Sequence, residues 1–225
     1  MEALASALDR ILAVIKWPVA ITGVVFLPGL FTALVEVVRV IVREPEPCLA
    51  FLAGAGACAA AWYVLLRKRS LGDFIVVLEH EFTHAIFAWL TFHRVVGFRA
   101  SLRRGGHVRF LGRGNWLISI APYFVPTLSI VAIAVLQWVP DRHWAYGSAA
   151  LGATFAYHLL STWSETHRHQ SDLREVGLVF SVVFLIAANA LVYGLILGFA
   201  CGVRPMEYLG HVPGPTLELI RRLRL

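Results

Sequence analysis

The chain has 225 residues, of which 58% are hydrophobic and 15% charged, and its formal net charge is +6. A soluble domain of this size carries about 25% charged residues, so lipid must solvate much of this surface; the mean hydropathy of +0.70 agrees. Nucleic-acid binding is set aside, because no basic stretch sits on a recognisable nucleic-acid module and basic residues in a membrane protein usually mark loop ends and headgroups.

In chain order, residues 1–16 place Leu4, Leu8, Ile11, Leu12 and Ile15 at helical spacing among Glu2, Asp9, Arg10 and Lys16. This predicts a short interfacial helix rather than a secretory signal. Residues 17–66 hold two apolar spans, 17 to about 42 and 48–66, separated by the proline-stiffened link Arg43-Glu44-Pro45-Glu46-Pro47. Four further apolar segments follow at 71–93, 114–140, 143–164 and 176–203. Each is long enough to cross a bilayer, which takes about 20 residues. The expected fold is an all-α integral membrane protein, a bundle of about six transmembrane helices in one domain. Cys48, Cys58 and Cys201 lie in or beside apolar stretches without metal-type spacing and read as free thiols.

Two polar loops interrupt the second half. In 94–113, which carries six arginines, Phe98, Ala100 and Leu102 alternate with polar residues, and Gly105-Gly106 precedes His107-Val108-Arg109-Phe110. The pattern predicts a small β-hairpin. The other loop is 164–175, SETHRHQSDLRE. The tail, 204–225, is a Pro/Gly turn and a basic amphipathic stretch expected on the membrane surface. Counting six spans puts ten Lys and Arg on each side, so charge alone leaves the orientation tied.

The third segment carries the chemistry. His80-Glu81-Phe82-Thr83-His84 is an HExxH pattern. Residues four apart share a helix face, so both imidazoles can meet one metal ion, while Glu81 lies about 100° round and can reach a metal-bound water. Zinc lowers the pKa of such a water to about 7, and a neighbouring carboxylate can then take its proton. The plainer alternative is a polar helix–helix contact. Ionisable groups in lipid are costly, however, and usually face an interior site. A catalytic zinc needs a third protein ligand and an open position. The candidates are Glu165, His167, His169 and Asp172 in the loop, with His158 in the preceding span as an alternative ligand, a second-layer donor or an ordinary interhelical hydrogen bond.

An HExxH in a span, a β-like loop after it and an Asp leading into a later span resemble the site-2 protease family of intramembrane zinc metalloproteases. Trp163-Ser164-Glu165, Gln170-Ser171-Asp172-Leu173, Gly177 and Phe180-Ser181 resemble a compact bacterial branch of it. The resemblance covers about residues 71–195, within a metalloprotease-like core of 71–199. Larger members carry Leu-Asp-Gly where this chain reads Ser171-Asp172-Leu173, and Ala121-Pro122-Tyr123-Phe124-Val125-Pro126 stands where some carry Asn-Pro-x-Gly.

The resemblance implies zinc held by His80, His84 and Asp172, with Glu81 as general base. It implies a membrane-anchored protein substrate, offered a strand edge by the 94–113 loop on the cytosolic side of a bacterial plasma membrane. Control of access is expected from the helices, the two N-terminal spans or a regulatory membrane partner. The rival reading is a non-enzymatic metal-binding membrane protein, transporter-like or a scaffold, with a structural zinc. Glu81 separates the two, since only a protease needs a base beside the ligands.

Overall fold

The computed structural model describes residues 1–66, 70–101, 105–166 and 170–223. It is mostly helical. Helix α1 runs from Glu2 to Arg43 and α2 from Leu49 to Ala61, prolonged by a π-helical turn at Trp62–Leu66. Helix α3, Ser70–Leu90, is followed by strands β1, Val95–Ser101, and β2, Gly105–Phe110. Then come α4, Trp116–Ile120; α5, Thr127–Leu136; α6, Trp144–Glu165; α7, Ser171–Val176; α8, Leu178–Ala200; α9, Pro205–Gly210; and α10, Pro213–Leu223.

Among the described residues, three stretches are long and apolar enough to cross a membrane, Glu2–Arg43, Glu46–Val64 and Leu178–Ala200, or four if the bent pair Trp116–Tyr123 and Thr127–Leu136 is one span. The six expected spans are therefore not all found. Helices α3 and α6 have the length, 21 and 22 residues. Their polar content sets them apart: Asp73, Glu79 and Glu81 in one, and Ser148, Thr154, His158, Ser161 and Thr162 in the other.

The expected interfacial helix and first span are one continuous helix. Pro18 and Pro28 lie within it without ending it. Among its early polar residues, Lys16 finds partners in the protein: its Nζ donates to the Val176 carbonyl at 2.6 Å and stands 4.7 Å over the Phe180 ring. The start of α1 accordingly lies at the end of the bundle that carries the hairpin. The span count had placed it on the opposite side.

The bundle packs through four cores among the described residues, the smallest made of Trp62, Val76 and Tyr157; the other three are larger. Leu12, Trp116, Tyr123, Leu173 and Phe180 form the one nearest the polar loops. Leu30, Ala33, Val37, Ala187 and Tyr208 join α1, α8 and α9. Phe51, Leu136, Leu151, Phe155 and Ile196 join α2, α5, α6 and α8. Glycines let α2 and α6 touch backbone to backbone: a Cβ on Gly54 would lie 1.9 Å from the Ala149 carbonyl oxygen, and one on Gly152 1.9 Å from that of Phe51. This is close small-residue packing of the kind membrane helices use. The tail, expected on a surface, folds back against the bundle, burying Tyr208, Val212 and Thr216.

Cys48 and Cys201 are not free thiols. The fold brings the start of α2 to the end of α8, and the two form a disulfide across 153 residues. Cys58 is free.

The hairpin forms as the alternation predicts. Strands β1 and β2 are antiparallel, with Phe98 opposite Val108 and Ala100 opposite Gly106. Residues 102–104, which include Leu102, lie outside the described residues.

Candidate metal centre

The site is assembled from α3, the break between α4 and α5, the end of α6, and α7. One helical turn on α3 sets His80 and His84 side by side, with ring centroids 4.7 Å apart. Both direct Nε2 at one oxygen: Asp172 Oδ2 lies 3.3 Å from His80 Nε2 and 3.5 Å from His84 Nε2. Among the described residues these three form the one group of His, Cys, Asp or Glu side chains able to hold a metal, with donor atoms all within 4.8 Å of one another. A tetrahedral zinc with bonds of about 2.0–2.1 Å keeps its ligand atoms roughly 3.4 Å apart. The two spacings to Asp172 match that figure, and two imidazoles with a carboxylate are a common catalytic zinc set.

Each imidazole has a second partner that fixes its ring. His84 Nδ1 lies 2.8 Å from the Ile118 carbonyl oxygen. A carbonyl can only accept, so Nδ1 carries the proton and Nε2 keeps a lone pair for a cation. That carbonyl is available for a sequence reason. Inside a helix the amide four residues on would claim it, but residue 122 is proline and has no N–H. Pro122 and Pro126 also produce the turn at 121–126 and the 74° bend between α4 and α5. For His80 the second partner is Glu165 Oε2, 3.3 Å from Nδ1. Glu165, one of the candidate ligands, thus stands behind His80 rather than in the metal group.

Asp172 sits in the first turn of α7, ahead of α8. Tyr123, buried in the helix break, donates its hydroxyl to the same Oδ2 at 3.1 Å.

Glu81 is buried beside these three side chains. Strand β2 lies against it so closely that a Cβ on Gly106 would fall 2.1 Å from Glu81 Cγ. The cavity in front has a volume of about 760 Å³, and its walls include Lys16, Glu81, His107, Arg113 and Glu175. Asp9 also lines it and ties α1 to both feet of the hairpin, accepting from His93 Nε2 at 3.2 Å and from Asn115 Nδ2 at 2.8 Å.

His158 does not join the metal group. It lies on the face of α6 that carries Glu165, seven residues earlier, which is about 10 Å along the helix axis. There it is buried against Tyr193, and its Nε2 has no hydrogen-bond partner among the described residues. His167 and His169 lie outside the described residues. Sequence reasoning missed Tyr123, the Ile118 carbonyl, Gly106 and Asp9. One signal was legible: a proline four residues after Ile118 frees a carbonyl.

A family model described as Peptidase M50B-like matches residues 52–209. No curated protein matches the chain. No solved structure matches it either.

Proposed function

The chain belongs to the Peptidase M50B-like family, and from that membership and its histidine–aspartate cluster we propose that it is a zinc-dependent intramembrane endopeptidase acting on membrane-anchored proteins. The observation that carries the reading is the approach of His80 Nε2 and His84 Nε2 to one oxygen of Asp172, at 3.3 and 3.5 Å, with Glu81 buried alongside.

His80, His84 and Asp172 are the metal ligands, and zinc bound there supplies a water acidic enough to ionise near neutral pH. Glu165 and the Ile118 carbonyl hold the two imidazoles in the tautomer that leaves Nε2 unprotonated. Glu81 is the general base: its carboxylate takes the proton from the attacking water and passes it to the departing amide nitrogen. A peptide bond inside a helix is shielded, so the substrate must be extended at the cut, and the β1–β2 hairpin supports that by strand pairing.

One feature favours an active site facing the cytosol. The Cys48–Cys201 disulfide lies at the far end of α8, 23 residues or about 35 Å from its start, and disulfides persist in oxidising compartments outside the cytosol.

The test is zinc content and cleavage of membrane-anchored peptides by purified wild type, Glu81→Gln and Asp172→Ala. The proposal expects one zinc per chain with cleavage in the wild type, zinc without cleavage in Glu81→Gln, and loss of zinc in Asp172→Ala. Undiminished cleavage by Glu81→Gln, or a wild type without zinc, refutes it. A wild type that holds zinc but never cuts leaves the structural-zinc reading.

A further inference from the structure

We propose that Tyr123 is a positioning residue for the metal site: its hydroxyl fixes the ligating oxygen of Asp172, and Asn189 in turn fixes Tyr123. The inference rests on the zinc reading above and adds to it a second layer drawn from two other helices.

The three ligands are unequally supported. His80 and His84 ride on a helix of 21 residues. Asp172 rides on six, in a helix that ends at Gly177 with a φ of +100°. A carboxylate on so short an element needs outside anchorage to hold one rotamer. His84 cannot provide it by donating a hydrogen bond, because its single ring proton is on Nδ1, facing the Ile118 carbonyl. Its Nε2 presents a lone pair to Asp172. The Tyr123 hydroxyl is a proton donor aimed at the same oxygen, Oδ2, at 3.1 Å.

Tyr123 is itself over-determined. It is 1% exposed, and its ring stands edge-on to His80 with centroids 5.3 Å apart at 86°. It belongs to the 3₁₀ turn Ala121–Tyr123, which the prolines force between α4 and α5. Its carbonyl accepts from Asn189 Nδ2 at 3.2 Å. Asn189 is an amide in the middle of α8, a helix without a single charged residue. A polar group there is costly unless bonded, and this bond gives it a purpose. The relay runs from α8 through Asn189, the turn and Tyr123 to Asp172.

A hydrogen bond to a ligating carboxylate both orients it and draws charge from it, and loss of such a partner typically costs about 10–100-fold in metal affinity. Tyr123→Phe keeps the ring and removes only the hydroxyl. The measurement is zinc affinity by chelator competition on the purified full chain, with the visible spectrum of the cobalt-substituted protein as a second readout. Circular dichroism verifies the fold. Tyr123→Phe is expected to lose about 10–100-fold in zinc affinity and to shift the cobalt bands. Asn189→Ala is expected to move both in the same direction by less. The double variant should be no weaker than Tyr123→Phe, because the two act in series. Zinc affinity of Tyr123→Phe within about twofold of a zinc-binding wild type overturns the inference and leaves the protease reading standing. Full additivity of the two variants overturns the relay through Asn189. A wild type that binds no zinc overturns both readings together.

Discussion

Gly106→Ala is the sharpest probe of how the hairpin meets the base. A methyl group built on Gly106 would lie 2.1 Å from Glu81 Cγ, 2.5 Å from Cδ and 2.4 Å from Oε1. Non-bonded carbons settle at about 3.5–4.0 Å, so the Glu81 side chain or strand β2 must give by about 1.5 Å. The flexible end of Glu81 yields more easily than paired backbone, which keeps the stability cost near the low end of the roughly 1–3 kcal/mol typical of overpacking. The functional cost is larger, because a displacement of about 1 Å can lower a rate by about 10²-fold. Zinc content should not change, since His80, His84 and Asp172 are untouched. The assay compares kcat, KM and zinc per chain with those of wild type. A useful control is Gly56→Ala, where an added Cβ meets nothing within 4 Å. If kcat of Gly106→Ala stays within about threefold of wild type, a ΔΔG‡ below 1 kcal/mol, Glu81 does not need its present position and the contact is incidental.

Three further outcomes follow from the packing. Pro122→Ala restores an N–H that competes for the Ile118 carbonyl, so His84 loses part of its second partner; zinc affinity measured by chelator competition should fall about 10-fold or more. Asp9→Ala strips buried His93 and half-buried Asn115 of their shared acceptor, and leaving the His93 N–H unpaired should cost about 1–3 kcal/mol, read as a lower unfolding temperature in detergent. Gly54→Leu drives a side chain into the backbone of Ala149. Because that backbone cannot rotate away, the loss should exceed the roughly 1–3 kcal/mol of ordinary overpacking and show as failure to recover folded protein.

What the sequence disclosed followed the range of each signal. Helical periodicity is local, so the shared face of His80 and His84 could be read directly, as could the alternation that makes the hairpin. The Asp172 contact joins residues 92 apart. Nothing in the local pattern chose among Glu165, Asp172 and the histidines of the loop, and it was the family resemblance that pointed to Asp172. What the polar residues at the start of α1 meet was not legible, because amphipathic spacing does not say what covers the polar face. Asp9 and Lys16 bond to protein groups. The disulfide was missed for a similar reason, since pairing depends on where two helix ends meet.

Residues 1–51 fall outside the family match, yet Asp9, Ala13 and Lys16 line the same cavity as Glu81. The cavity is therefore lined partly by a helix that lies outside the family match. Through Asp9 that helix holds the two feet of the hairpin, His93 before β1 and Asn115 after β2, and through Gly106 the hairpin bears on Glu81. The same helix also bears on the elements around the histidine–aspartate cluster: Lys16 donates to the Val176 carbonyl at the end of α7, and the Leu12 carbonyl accepts from Trp116 Nε1 at the start of α4. The first turns of α1 thus touch both the hairpin that presses on Glu81 and the elements that carry Asp172 and the Ile118 carbonyl. Two variants separate these routes: Asp9→Ala, on the hairpin side, should change turnover with zinc retained, whereas Pro122→Ala, at the partner of His84, should change zinc affinity first.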